Sequence, residues 1–244
     1  MDRPILIAHR GGSLEAPENT LGAFRHAIEI GMKYVELDVQ MTRDGEMVVI
    51  HDETVDRTTD GTGAVQGYRF NDLRRLDAGF RFGPEWAGER IPTLREVLEL
   101  CVDNGVGVVV ELKSPHLNPG IEEKVAALVG EMWTRGAENI WCISFDHEAV
   151  RRMRRLDGAL MLGYLFPPGA EKFAVVDDTV QAVCPYFGSC LDHPEQVEMA
   201  HRLGKFVFVY TVDREEDMRR LVEVGVDGMV SDRPSVLLAM SGER

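Results

Sequence analysis

The fold class that the sequence predicts is α/β: a closed (β/α)8 barrel of the TIM-barrel type, with a small insertion after its second strand. Three observations carry that expectation. Eight short apolar runs are spread over 244 residues, a length that suits one barrel domain spanning 1–244. Helical patterns separate most of these runs, as in a parallel sheet covered on its faces. No GxGxxG follows the first run, which weakens the open, dinucleotide-binding sheet as the alternative.

The runs, in order, are "ILIAH" (5–9), "YVELDV" (34–39), "VGVVVELK" (106–113), "NIWCISF" (139–145), "LMLGYLF" (160–166), "QAVCPYF" (181–187), "FVFVYTV" (206–212) and "GMVS" (228–231). Helical patterns cover 20–30, 93–104, 120–135, 146–156, 194–203 and 214–224, with a last short helix after Pro234. The segment 167–180 is expected to hold at most a short helix. "MVVIHD" at 47–52 is a ninth candidate strand, separated from the second only by a polar stretch around "TRDG". That is too little chain for a parallel crossover, so the two should form an antiparallel hairpin. The reversal returns His51 to the barrel mouth, where the end of the second strand lies. From 52 to 91 the pattern breaks into a stretch rich in Gly, Asp, Thr and Arg, read as a small capping insertion: either an ordinary surface excursion or, since it begins next to His51, a lining of the substrate cleft.

Composition excludes several functions. Lys and Arg number 27 against 41 Asp and Glu, a formal charge of −14, so no nucleic acid partner is expected. The amino-terminal apolar stretch is too short for a signal peptide or a membrane anchor, and no stable membrane association is expected. Cys101, Cys142, Cys184 and Cys190 lack metal-binding spacing and read as reduced, small hydrophobes of a cytoplasmic protein.

Glu36 and Asp38 lie two apart in a strand and so share a face. Glu111 and Lys113 repeat that arrangement in "VVVELK", and His9 and Arg10 end the first strand. In a barrel these groups converge at one rim. Three carboxylates packed together repel one another and are tolerable beside a cation; oxygen-only donors favour Mg²⁺ or Ca²⁺. Structural ion pairing with Arg10, Lys113 or Arg57 is the plain alternative. His9 and His51 are the proton-transfer candidates, since imidazole titrates near neutrality; hydrogen bonding to a neighbouring carboxylate is their structural alternative.

"HRGGSLEAPENTLGAF", "ELDVQMTRDGEMVVIHDETVDRTTDGTG", "VVVELK" and "GVDGMVSDRP", in this order, make the chain similar to the glycerophosphodiester phosphodiesterase family in its short bacterial cytoplasmic form. The resemblance runs along essentially the whole chain. It implies a (β/α)8 barrel that uses Mg²⁺ or Ca²⁺ to hydrolyse a glycerophosphodiester, its small-molecule substrate, to sn-glycerol 3-phosphate and an alcohol. It places the metal carboxylates on Glu36, Asp38 and Glu111, the acid/base histidines on His9 and His51, and the phosphate-side cations on Arg10 and Lys113. It further implies attack by the glycerol 2-hydroxyl on phosphorus, giving a cyclic phosphate that water opens. Glu18 and Asn19 match family positions read as holding the first loop. Where many members carry Trp-Thr-Val-Asn this chain has "YTVD", so Tyr210 keeps an aromatic wall for the glycerol while Asp213 replaces an amide. Phe145 and Phe187 are candidates to share that wall.

Two other readings stand beside this one: a lysophospholipid phosphodiesterase of lysophospholipase D type, which an exposed apolar patch around Phe80, Phe82 and Trp86 would favour, and a noncatalytic barrel binding protein, which loss of a histidine or metal carboxylate would mark. The sequence specifies neither head group nor oligomeric state.

Overall fold

The computed structural model describes residues 3–134, 136, 139–174 and 177–242. Its elements run in the order β1 (Ile5–His9), α1 (Leu21–Glu29), β2 (Tyr34–Met41), β3 (Met47–Val49), α2 (Phe70–Leu73), α3 (Leu94–Asp103), β4 (Gly107–Leu112), α4 (Ile121–Thr134), β5 (Ile140–Ser144), α5 (His147–Leu156), β6 (Met161–Phe166), β7 (Ala182–Pro185), α6 (Phe187–Asp192), α7 (Pro194–Arg202), β8 (Phe206–Val209), α8 (Glu215–Val224), β9 (Gly228–Ser231) and α9 (Pro234–Ser241). Eight strands pair in parallel in the order β1, β2, β4, β5, β6, β7, β8, β9, and β9 pairs back with β1. The barrel is therefore closed, with no free edge among these eight.

Strand alternation decides what fills it. One set of side chains meets the surrounding helices in the main core, where Val35, Leu37, Val108, Val110 and Leu162 pack against Phe24, Leu98 and Val129. The other set points inward: Ile7, Val109, Trp141, Ile143, Leu165, Phe208 and Val230 form a separate apolar cluster inside the ring. Rings need space there, and glycine supplies it. Gly107 faces Tyr34 across the β2–β4 ladder, and a Cβ on it would fall 2.3 Å from the Tyr34 ring. This apolar plug forms a floor; polar inward residues appear only above it, at the carboxyl ends of the strands.

Local signals start the helices. Thr20 caps α1 by accepting from the Ala23 N–H, and Thr93 with Glu96 makes a reciprocal capping box at α3. The hairpin forms as its short connection requires: Val39, Gln40 and Met41 pair antiparallel with Val49, Val48 and Met47. Beyond the ladder, the Ile50 N–H donates to the Asp38 carbonyl at 2.9 Å. The buried Gln40 amide then donates to the carbonyls of Ile50, His51 and Asp52 at 3.2, 3.0 and 2.6 Å. After this return leg the chain builds a small cluster of its own, with Val55, Val65, Leu73, Ala78 and Ile91 packed on Val48 and Ile50.

One local expectation is corrected. The run 181–187 is a strand only to Pro185, and Phe187 opens α6; a short apolar run does not by itself separate strand from buried helix. The segment 167–180 holds no helix among its described residues; 175 and 176 lie outside the description. Buried Lys205 ties this segment down by donating to the carbonyls of Asp177 and Val180, both at 2.7 Å. All four cysteines are free and buried.

Gly107→Ala should cost roughly 2 kcal/mol, lowering the thermal midpoint by about 4–8 °C. Adding Tyr34→Leu should recover part of that loss in the same melting experiment. No recovery would show that the ring is not what excludes the methyl group.

Candidate active site

Register brings the chemistry together. His9 on β1 is level with Glu36 on β2, and Asp38, one inward position further on, is level with Glu111 on β4. Three neighbouring strands thus deliver one histidine and three carboxylates to the mouth. Glu36, Asp38 and Glu111 are only 3%, 0% and 8% exposed, and one oxygen from each lies within 4.8 Å of the others.

Burial of this much charge leaves marks. The Glu36 carboxyl is pushed up to about 8 by burial and then by Asp38; Glu111 rises to about 7 for the same two reasons, against the pull of Lys113. Asp38 moves the other way: burial opposes ionisation, but Arg10 and Lys113 outweigh it and hold its carboxyl low. Asp38 Oδ2 accepts from the Asn19 amide at 2.8 Å. Its Oδ1 is buried with no hydrogen-bond donor, and Lys113 Nζ stands 3.8 Å away. An orphaned carboxylate oxygen beside two carboxyl groups raised by burial and by the charge of Asp38 is the donor set of a hard divalent cation, and the three residues fit such an ion.

The loop after β1 is shaped to serve this cluster. Arg10, Gly11 and Gly12 all have positive φ, at 54°, 84° and 102°. A Cβ on Gly11 would come within 2.8 Å of the Ala23 backbone, so the loop can lie against α1 only with glycine there. The turn aims the Arg10 N–H at Glu36 Oε2, 3.1 Å away. The Arg10 guanidinium reaches Glu18 at 2.8 Å and Asp38 at 3.2 Å.

The two histidines flank the carboxylates. His9 Nδ1 donates to Asp232 at 2.5 Å, and its Nε2 lies 3.7 Å from Glu36. Burial pulls His9 down, but Glu36 and Asp232 outweigh it and raise it. His51 Nδ1 donates to Asp52 at 2.7 Å, and Lys113 Nζ donates to its Nε2 at 3.0 Å. Burial lowers His51, and the nearby Asp38 does not offset it. Lys113 also holds Glu111 at 2.8 Å. Tyr210 joins His9, Glu36 and Glu111 around one cavity of about 30 Å³. Its hydroxyl donates to the Phe166 carbonyl at 2.7 Å, and its ring meets Phe145 edge-on at 5.9 Å.

All eight residues singled out for metal, proton transfer and substrate therefore lie at one mouth. Phe145 stands beside Tyr210 and is 44% exposed, whereas Phe187 packs against the helix-side core. Asp213 sits behind the site: its Oδ1 accepts from the Ser231 hydroxyl and the Asp232 N–H, at 3.0 and 2.8 Å. Sequence reasoning missed the carboxylates behind the histidines, Asp232 and Asp52. Asp52 had a signal, being next to His51; Asp232 had only its place in "SDRP", 223 residues from its partner.

Residues 9–236 match the sequence profile of the glycerophosphoryl diester phosphodiesterase family. The chain is 42% identical over 239 residues to the glycerophosphodiester phosphodiesterase of Caldanaerobacter subterraneus subsp. tengcongensis, covering 97% of both proteins. It is 32% identical to the Bacillus subtilis glycerophosphodiester phosphodiesterase, covering 96% of this chain and 85% of that protein. Among solved structures, an Oleispira antarctica phosphodiesterase in complex with the product sn-glycerol-3-phosphate superposes with a TM-score of 0.86 at 30% identity, covering 98% and 97% of the two chains.

Because burial and Asp38 raise Glu36 and Glu111 toward neutrality, a divalent ion competes with protons for these carboxylates. Calorimetric titration with Mg²⁺ or Ca²⁺ should release protons, and affinity should fall as pH drops through about 8 and then about 7. Glu111→Gln should weaken binding by on the order of tenfold or more. Affinity that ignores pH and survives Glu111→Gln would place the ion elsewhere.

Proposed function

The chain belongs to the glycerophosphoryl diester phosphodiesterase family and hydrolyses glycerophosphodiesters to sn-glycerol 3-phosphate and an alcohol, and we propose that Glu36, Asp38 and Glu111 hold the metal while His9 and His51 move the protons. The observation that carries the assignment is a buried carboxylate triad flanked by two histidines of opposite protonation bias. Those biases arise from environment, as expected for an acid and a base working at one pH. All five residues are present, so the mark of a noncatalytic barrel is lacking.

The residues divide the work by position. Arg10 and Lys113 present positive charge to an anionic phosphodiester at the mouth, and Tyr210 with Phe145 gives the carbon side of the glycerol an apolar wall. A divalent ion held by Glu36, Asp38 and Glu111 would supply Lewis-acid polarisation of the phosphate. His51, donating from Nδ1 to Asp52, keeps the lone pair on Nε2 and accepts the proton of the attacking 2-hydroxyl. As the bond from phosphorus to the leaving oxygen breaks, protonated His9 gives that oxygen its proton. For the second half, His9 takes a proton from water and His51 returns one to the 2-hydroxyl, opening the cyclic phosphate.

Mg²⁺ and Ca²⁺ both suit three carboxylates. Free buried cysteines support a cytoplasmic setting, in keeping with the short bacterial form. Among the described residues no helix is long and apolar enough to cross a membrane.

A second reading has its own observation: Phe80 and Phe82 in the insertion are 43% and 40% exposed, and Phe82 meets Trp86 edge-on at 6.2 Å. An exposed apolar patch of that kind suits the acyl chain of a lysophospholipid.

Metal-stripped protein should release sn-glycerol 3-phosphate from glycerophosphocholine only after Mg²⁺ or Ca²⁺ is restored, read by coupled glycerol-3-phosphate dehydrogenase. His9→Ala and His51→Ala should each lower kcat by roughly 10²–10⁴-fold while binding the metal normally; unchanged turnover would remove the histidines from the mechanism. Phe80→Ser/Phe82→Ser should leave glycerophosphocholine turnover unchanged. A selective loss of lysophosphatidylcholine turnover in that variant would establish the second reading.

A further inference from the structure

Arg57, in the insertion, makes a double fork that the mechanism does not use. Its Nε and Nη2 donate to the two oxygens of Asp52 at 2.7 and 3.0 Å, and its Nη1 and Nη2 donate to the two oxygens of Glu18 at 2.6 and 2.8 Å. Glu18 in turn accepts from Arg10 at 2.8 Å. Arg57 thus joins the loop after β1 to the loop after β3, and the carboxylate it grips on the second side is the one that holds His51.

An exposed ion pair ordinarily contributes little to stability, and the Arg57 side chain is 48% exposed. Two bidentate pairs on one planar guanidinium are a different case, because they fix the orientation of both carboxylates. Asp52 is adjacent in sequence to His51 and has few other restraints on its side chain. Left alone it could rotate toward solvent, and the imidazole would then be free to turn its Nδ1–H away. With Arg57 in place Asp52 stays a fixed acceptor, its carboxyl held down at about 2 chiefly by the Arg57 hydrogen bonds. Its charge is also partly offset, so it orients the ring without drawing a second proton onto Nε2. The groups that face His51 are Asp52 with Arg57 behind it, Lys113 from the end of β4, Asp38 from β2 and Arg10 from the first loop.

We propose that Arg57 is a positioning residue: acting through Asp52, it holds His51 in the orientation and tautomer that keep Nε2, whose lone pair meets Lys113 Nζ in this structure, as the proton-accepting nitrogen. This rests on the assignment of His51 as the base. It gives the insertion a role in turnover, since it carries Arg57 to the rim.

The test compares Arg57→Met, Arg57→Lys, His51→Ala and the double variant Arg57→Met/His51→Ala on glycerophosphocholine at saturating metal. Arg57→Met should lower kcat by on the order of 10–100-fold, the size seen when a partner behind a site residue is removed, with KM and metal affinity little changed. Arg57→Lys, which lacks the fork, should restore only part of the rate. Guanidinium ion added to Arg57→Met should raise kcat. The double variant should be no slower than His51→Ala, because Arg57 acts only through that ring. A slow His51→Ala beside a fast Arg57→Met would overturn this inference and leave the base assignment standing, as would a further loss in the double variant. A fast His51→Ala would overturn the base assignment and this inference with it.

Discussion

The arrangement at the mouth depends on one electrostatic constraint: three carboxylates on neighbouring strands are sealed above an apolar floor, where water cannot screen them. Ionised together they repel, and two of them respond by rising toward neutrality. Everything around them supplies compensation. Arg10 abandons ordinary backbone geometry so that both its N–H and its guanidinium reach the cluster. Lys113 divides its charge between Glu111 and Asp38. Asn19, itself at positive φ, gives its amide to Asp38. These groups still leave one Asp38 oxygen without a hydrogen bond, the place a divalent cation on the three carboxylates would fill.

The second constraint is topological. A βα unit sends the chain away from the mouth after each strand, so one rim receives one short segment per unit. The β2–β3 hairpin breaks that rule by extending the strand past the barrel and doubling back. The consequence is a second histidine at the same rim within 15 residues of Glu36, its backbone pinned by Gln40. The insertion then follows from the same reversal. Having returned to the mouth, the chain must still travel to the start of α3, and on the way it brings Arg57 against Asp52 and Glu18.

Legibility in the sequence followed the range of the interactions. Period-two alternation and caps such as Thr93 with Glu96 are local, so the eight strands and most helices could be read, and their shared strand ends gave the site residues. The boundary at Phe187 could not be read, because burial on a strand and burial on a helix look alike over so few residues. Nor could the role of Gln40, an apparently ordinary polar residue in "ELDVQ" until the hairpin places three carbonyls around its amide. Asp232 is the extreme case. It becomes the partner of His9 only when β9 closes on β1, a contact that no local pattern announces.

Barrel closure also accounts for the different behaviour of two similarly built histidines. Each gives Nδ1–H to an aspartate, and burial opposes protonation of both. What separates them is the neighbour of Nε2. His9 turns that nitrogen toward the Glu36 carboxylate, and His51 turns it toward the Lys113 ammonium. One neighbour favours the imidazolium and the other the free base, so the two rings are biased apart with no difference in residue type. Those neighbours are set by strand order alone: β1 beside β2 gives His9 to Glu36, and the hairpin returning over β2 toward β4 gives His51 to Lys113. The division between proposed acid and proposed base is therefore a property of the barrel's connectivity, written into the chain by the extension of β2 to Met41 and the short turn that follows it.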